Sequence, residues 1–184
     1  MKRYFGVVVP AAVTAVAMTV CAVSIAPAGA DPADADSAPA CAVAQLTARL
    51  GQPDGAAGTV YYPLLVQNKG GSRCGVMRAL TVHFVAGPDN HPVGAPAHQD
   101  AGPETGAGTA AATDAVLLDP GQSTSANLGI VDAGNFPSDC TPTPVSGLQI
   151  ALPGQPGAMV VAHPDQTCAN AAYSTLHIGP LNKS

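Results

Sequence analysis

The chain reads as an all-β domain, a sandwich or barrel of about seven to nine antiparallel strands closed by two disulfides. Three observations predict this. Short runs of alternating apolar and polar residues recur between clusters of Gly, Pro, Asn and Asp, the pattern of half-buried strands joined by turns. No stretch holds helical period for three turns, and 18 prolines and 20 glycines punctuate the chain throughout. Four cysteines, Cys41, Cys74, Cys140 and Cys168, follow an apolar leader, and each successive pair brackets a predicted hairpin.

Residues 1–30 have the make-up of a cleaved secretory signal. Lys2 and Arg3 form a basic start, Val7 to Ile25 is apolar and uncharged, and Ala28-Gly29-Ala30 places small residues before Asp31. A run of this length also suits a membrane anchor, but the Ala-Pro-Ala-Gly-Ala exit favours cleavage between Ala30 and Asp31. A lipid anchor is not expected: Cys21 follows the large Val20, and Cys41 lies far beyond the apolar run. The expected product is a secreted, extracytoplasmic protein with no stable membrane anchor after cleavage. Residues 31–40 (DPADADSAPA) contain no large apolar side chain and are expected to be a disordered spacer. Residues 41–184 then form a single domain of ordinary size.

The strands can be assigned in order. Leu46, Ala48 and Leu50, with Ala44 before them, share one face of the first run. Val60, Tyr62, Leu64 and Val66 form the second inward row; Pro63 lacks an N–H, which predicts an edge or a bulge there. Leu80, Val82 and Phe84 form the third. Val116 and Leu118 end a shorter strand before the Asp119-Pro120-Gly121 turn, and Thr124, Ala126, Leu128 and Ile130 follow it. Leu148, Ile150 and Leu152 face Val160 and Ala162 across a hairpin turning at 153–157, and Leu176 and Ile178 mark a last strand. Residues 98–113 lack pattern and are expected to be a flexible surface loop.

This hairpin reading selects among the three pairings that four cysteines allow. Only Cys41–Cys74 and Cys140–Cys168 join the ends of local hairpins. Each bridge closes a loop of about 30 residues, worth roughly 3.5–4 kcal/mol in the chain-entropy model. That is a large share of a typical 5–15 kcal/mol stability. It matters because the expected mature chain has only five aromatic residues, Tyr61, Tyr62, Phe84, Phe136 and Tyr173. With no C-x-x-C anywhere, a redox or zinc role for the thiols is not indicated.

Charge and motif content narrow the function. The full chain carries a formal −5. Loss of the leader removes Lys2 and Arg3 and no acid, leaving five basic residues against twelve acids, a formal −7. Nucleic-acid binding and docking on anionic lipid both need clustered cations and are not expected. There is no Trp for a stacking platform, no G-x-S-x-G elbow and no S-x-x-K. Glu104 is the only glutamate. Asp54, Asp89, Asp119, Asp132 and Asp139 sit on predicted turns, where aspartates ordinarily satisfy local backbone groups. His83, His91, His98, His163 and His177 show neither H-x-H nor H-x-x-x-H spacing. Alternation points His83 and His177 outward. A composite copper or zinc site drawing on these histidines and Met77 or Met159 would require distant residues to converge.

The ordered set of features resembles the family known as domain of unknown function 4232, actinobacterial secreted and lipid-anchored proteins. It runs from Cys41 and the strand through Leu46, by Gly58 and Asn68, to Gly70-Gly71-Ser72 and Cys74. Val82-His83-Phe84-Val85, Pro92-Val93-Gly94-Ala95-Pro96 and Leu118-Asp119-Pro120-Gly121-Gln122-Ser123 continue it. Cys140, Gly147-Leu148, Pro153-Gly154, Cys168 and Ile178-Gly179-Pro180-Leu181 complete it. One departure stands out: Arg78-Ala79-Leu80 occupies the place of the family's Gly-Tyr-Pro, the mark of a divergent member. The resemblance implies an immunoglobulin-like sandwich in an extracytoplasmic compartment and no established activity. The Ala-Gly-Ala-Asp-Pro junction and the Ala/Gly/Pro-rich composition look mycobacterial.

The expectation is therefore a non-catalytic interaction module of the cell envelope or culture fluid, with a protein or envelope partner and no cofactor. The alternative is an extracytoplasmic copper or zinc carrier using His and Met side chains; it requires three of those side chains to converge. Neither the partner nor the oligomeric state is legible in the sequence.

Overall fold

Two antiparallel sheets face each other across one apolar core, in an immunoglobulin-like sandwich. The computed structural model describes residues 38–100 and 115–182, together with Gly6. By its contacts the chain divides into residues 1–32 and 33–184, and the second unit is the sandwich. The expected cleavage site at Ala28, Ala30 and Asp31 lies outside the described residues, as do 31–37 of the expected spacer and 101–113 of the expected loop. Among the described residues no helix is long and apolar enough to cross a membrane.

The first sheet takes the order β1 (Leu46–Leu50), β3 (Thr59–Asn68), β9 (Ser123–Val131), β12 (Leu176–Ile178), β7 (His98–Gln99), and β2 (Asp54–Ala56) also pairs with β3. The second takes the order β11 (Ala158–Cys168), β10 (Pro142–Ala151), β5 (Thr81–Ala86), β6 (His91–Val93). A two-stranded sheet of β4 (Cys74–Met77) and β8 (Ala115–Leu118) closes one side. Eight of these strands have four or more residues. The pairings are antiparallel except β7 with β12 and the single bridge between Ala40 and Gly75.

Alternation puts the expected residues inside. Leu64, Val66, Ala126, Leu128, Ile130, Leu176 and Ile178 from the first sheet meet Val82, Phe84, Leu148 and Ile150 from the second, all buried. Burying each large aliphatic side chain contributes about 1.5–3 kcal/mol. Both staples have the expected partners, Cys41–Cys74 and Cys140–Cys168, with Cα atoms 4.9 and 5.0 Å apart. The first bridge lies in the main core. The second makes a satellite cluster with Ala133, Phe136 and Tyr173.

Four sequence expectations need correction. Pro63 is on neither an edge nor a bulge: β3 is interior, between β1 and β9. Its neighbour on one side is divided instead, since β1 pairs as far as Leu64 and β2 begins at Tyr61. Pro63 accepts a hydrogen bond from Gly51 N through its carbonyl (2.7 Å). N–H and C=O of one strand residue point to the same side, so the missing donor falls in the gap between β1 and β2. Second, Val160 and Ala162 face outward, and Met159 and Val161 pack on the core instead. The register pairs Ile150 with Met159 and Leu148 with Val161, and directly opposite residues share a face. Third, His98 and Gln99 begin no loop; they form β7 against β12. Fourth, pairing starts ahead of Cys41, with Gly75 N donating to Pro39 O (2.8 Å) and Cys41 N to Gly75 O (2.9 Å).

Candidate functional site

The residues that carry the family resemblance converge on scaffold tasks. Asn68 ends β3 with no exposed surface. Its Nδ2 donates to Ser72 O (2.8 Å) and Leu118 O (3.0 Å), and its Oδ1 accepts from Gly70 N (2.9 Å). Its backbone accepts from Gly121 N (2.7 Å) and donates to Gln122 O (3.0 Å). One side chain thus ties the Gly70-Gly71-Ser72 loop, which leads into Cys74, to the turn after β8. That turn is closed by Gln122 N donating to Asp119 O (2.9 Å), with Gly121 at φ +81°. Proline then glycine at its centre is what a type II turn requires. Gly94 has φ +72°, and a Cβ there would lie 2.5 Å from the Cys168 carbonyl oxygen. The backbone of the Pro92–Pro96 segment therefore packs directly on the second staple.

Arg78 is also structural. Arg78 is buried; its Nε donates to Leu181 O (2.7 Å), and Leu181 N donates back to Arg78 O (2.9 Å). Arginine at this place clasps the C-terminal Pro180-Leu181. The tail is held further by Gly179 N to Asn127 O (2.9 Å) and Asn182 N to Ser125 O (2.8 Å).

One end of the sandwich opens into a cleft of about 500 Å³. The β2–β3 turn contributes Gly58, and β3 brings Val60 and Tyr62; Ile130 comes from the end of β9 and Asp132 from just beyond it; β11 brings Asp165. Its rim is tied on one side. Gly58 O accepts from Asp132 N and from Asn135 Nδ2, both at 3.1 Å. Asp132 Oδ1 in turn accepts from Gly134 N (2.8 Å), closing the short 3-10 turn Ala133–Asn135. On the other side His163 sets its ring edge-to-face with Tyr62, centroids 5.1 Å apart, and approaches Asp165 Oδ2 at 3.4 Å. The lining holds two carboxylates and neither Lys nor Arg. Val60, expected inside, is 38% exposed because it borders this opening. A shallower cleft of about 310 Å³ separates β1 from β11, with Leu46, Met159 and Lys69 in its walls.

The aspartates singled out in the sequence do not gather. Asp132 caps its own turn as expected, but three others take side-chain partners. Asp119 meets Arg73 at 3.5 Å. The His91 imidazole, 3.2 Å from Asp89, holds that carboxyl below its ordinary pKa. Asp139 receives the Tyr173 hydroxyl on both oxygens (2.9 and 2.8 Å), which pushes the phenol above its ordinary value. The histidines divide among four places. His83 lies on the outer side of β5, its Nδ1 buried without a hydrogen-bond partner, and burial lowers its pKa. His91 and His163 each have one aspartate. Only His98 and His177 are neighbours. Among the described residues no group of three or more His, Cys, Asp or Glu is placed to hold a metal ion. The carrier alternative therefore lacks the grip it needs from these residue types.

The cleft was not legible in the sequence. Its walls come from segments some 30 to 100 residues apart, and Asp165 stands mid-strand rather than in a turn.

These features define a class: a small immunoglobulin-like sandwich closed by two local disulfides, with a cleft at one end. The chain belongs to the family described as Domain of unknown function (DUF4232), whose model matches residues 41–182. No curated protein and no solved structure matches it.

Proposed function

We propose that this is an exported, non-catalytic interaction module of an actinobacterial cell envelope or culture fluid, and that its partner docks at the end cleft. The observation that supports this reading most is the make-up of that cleft. A half-exposed Val60, the Tyr62 ring and two carboxylates share one opening whose rim is tied by Gly58, Asp132 and Asn135. Apolar surface beside fixed polar groups is what a recognition site presents. The two staples and the leader fit an oxidising destination, where a small-aliphatic core gains most from crosslinks.

The test uses the oxidised protein as bait in envelope extracts, beside a variant with Val60→Lys and Asp165→Lys. A specific partner should be recovered by the unaltered protein. The variant should retain its thermal midpoint and lose capture at least about tenfold, as expected when a central contact is removed. Undiminished capture by the variant, or a hydrolytic activity intrinsic to the pure protein, would overturn the proposal.

A further inference from the structure

We infer that His98 and His177 form a surface site for a borderline divalent transition metal, Cu²⁺ above all, with Asp100 as its orienting carboxylate. The parallel register sets His177 of β12 directly opposite His98 of β7. Leu176 and Ile178 point into the core, so His177 projects from the outer face of the first sheet. His98 projects from that same face. The two ring centroids are 5.6 Å apart with planes at 75°. A metal–nitrogen bond of about 2 Å puts an ion about 3 Å from each ring centre, so two imidazoles sharing one ion have centres about 4.5–6 Å apart. The observed spacing lies in that window.

Asp100 adds the second element. Its Oδ1 lies 3.3 Å from His177 Nδ1, and its backbone N is fixed to Ile178 O (2.9 Å). A carboxylate on Nδ1 holds the proton there and leaves the Nε2 lone pair for a metal, the usual carboxylate–histidine–metal arrangement. An aromatic ring bounds the far side of His177. His177 pairs on its other side with Gly129, which has no side chain, and the Tyr61 ring lies over that glycine. The structure contains two internal comparisons. His91 with Asp89 and His163 with Asp165 repeat the histidine–carboxylate contact at 3.2 and 3.4 Å, yet neither has a second imidazole. Two imidazoles with water in the remaining positions make an exchangeable site, and the Irving–Williams order favours Cu²⁺ in it.

The experiment titrates Cu²⁺ alone into the oxidised protein, in buffer with excess glycine as a weak competitor. Amide spectra at substoichiometric ion map the site. One ion per chain should bind saturably, and paramagnetic broadening should centre on His98, Asp100, Gly129 and His177. His98→Asn and His177→Asn should each abolish saturable binding and leave the metal-free thermal midpoint unchanged. Asp100→Asn should weaken binding about 10–100-fold. His91→Asn should leave it unaltered. Binding that survives in both imidazole variants, broadening centred on His91 or His163, or no saturable binding would each overturn the inference. None of these outcomes touches the end cleft, so the interaction-module reading stands or falls separately.

Discussion

Replacing Asn68 with alanine should destabilise the domain by about 1.5–4.5 kcal/mol, and the structure shows where that loss arises. The side chain is fully buried and makes three hydrogen bonds. Leu118 O also faces Cys74 in the β4–β8 ladder, so it keeps a partner, and the lost Asn68 bond is worth about 0.5–1.5 kcal/mol net. Ser72 is exposed and Gly70 half-buried; water can replace those two contacts, and each is worth about 0.5–1.5 kcal/mol net. The assay is guanidinium unfolding of the oxidised protein. The midpoint should fall while the slope stays constant, since the surface exposed on unfolding barely changes. Asn182→Ala is the control. Its side-chain bond to Ser125 Oγ (3.1 Å) is exposed, and its loss should cost under about 1 kcal/mol. An Asn68→Ala loss no larger than the Asn182→Ala loss would refute the argument that Asn68 knots the Ser72 loop to the β8–β9 turn. Unchanged stability with lost partner capture would move Asn68 from scaffold to binding surface.

Two further outcomes follow from the site geometry. Gly94→Ala puts a Cβ 2.5 Å from the Cys168 carbonyl oxygen at a φ of +72°, and should cost about 2–4 kcal/mol by strain and overpacking together. A change in thermal midpoint of under a degree would contradict that packing. In an ultraviolet titration of the phenols, Tyr173 should ionise above its ordinary value of 10.0, because its hydroxyl donates to Asp139. A raised folded pKa means that this contact stabilises below pH 10.0 and is lost as pH rises through the raised value. Asp139→Asn should return Tyr173 to the ordinary range, and an unchanged titration would dissociate the two groups.

Local alternation made most of the core legible. The even-numbered residues Leu64, Val66, Leu128, Leu148 and Ile150 lie inside as their strands imply, because period-two burial is a property of one strand alone. Register between strands is a different matter. Ala151 pairs with Ala158 across the hairpin, so an even inward residue of β10 faces an odd one of β11, and the Val160 and Ala162 assignment inverts. That parity depends on the turn conformation. The disulfide partners were legible because both bridges join hairpin ends. Pairings between distant segments were not, such as β7 with β12 or β3 with β9. No local pattern encodes them, and both the end cleft and the His98–His177 pair depend on them. Asn68 shows a third case. Its place in an ordered set of family residues was visible, but its task as the link between two loops appears only when Leu118, Ser72 and Gly121 are brought around it.

The account rests most directly on the two staples, since they define the sandwich and its hairpins. Peptide mapping of the protein under non-reducing conditions, with alkylation of any free thiol, tests it. The predicted result is Cys41 joined to Cys74, Cys140 joined to Cys168, and no alkylated cysteine among the four. Cys41 joined to Cys140 or Cys168 would contradict the strand order, and four alkylated thiols would contradict the stapled domain itself.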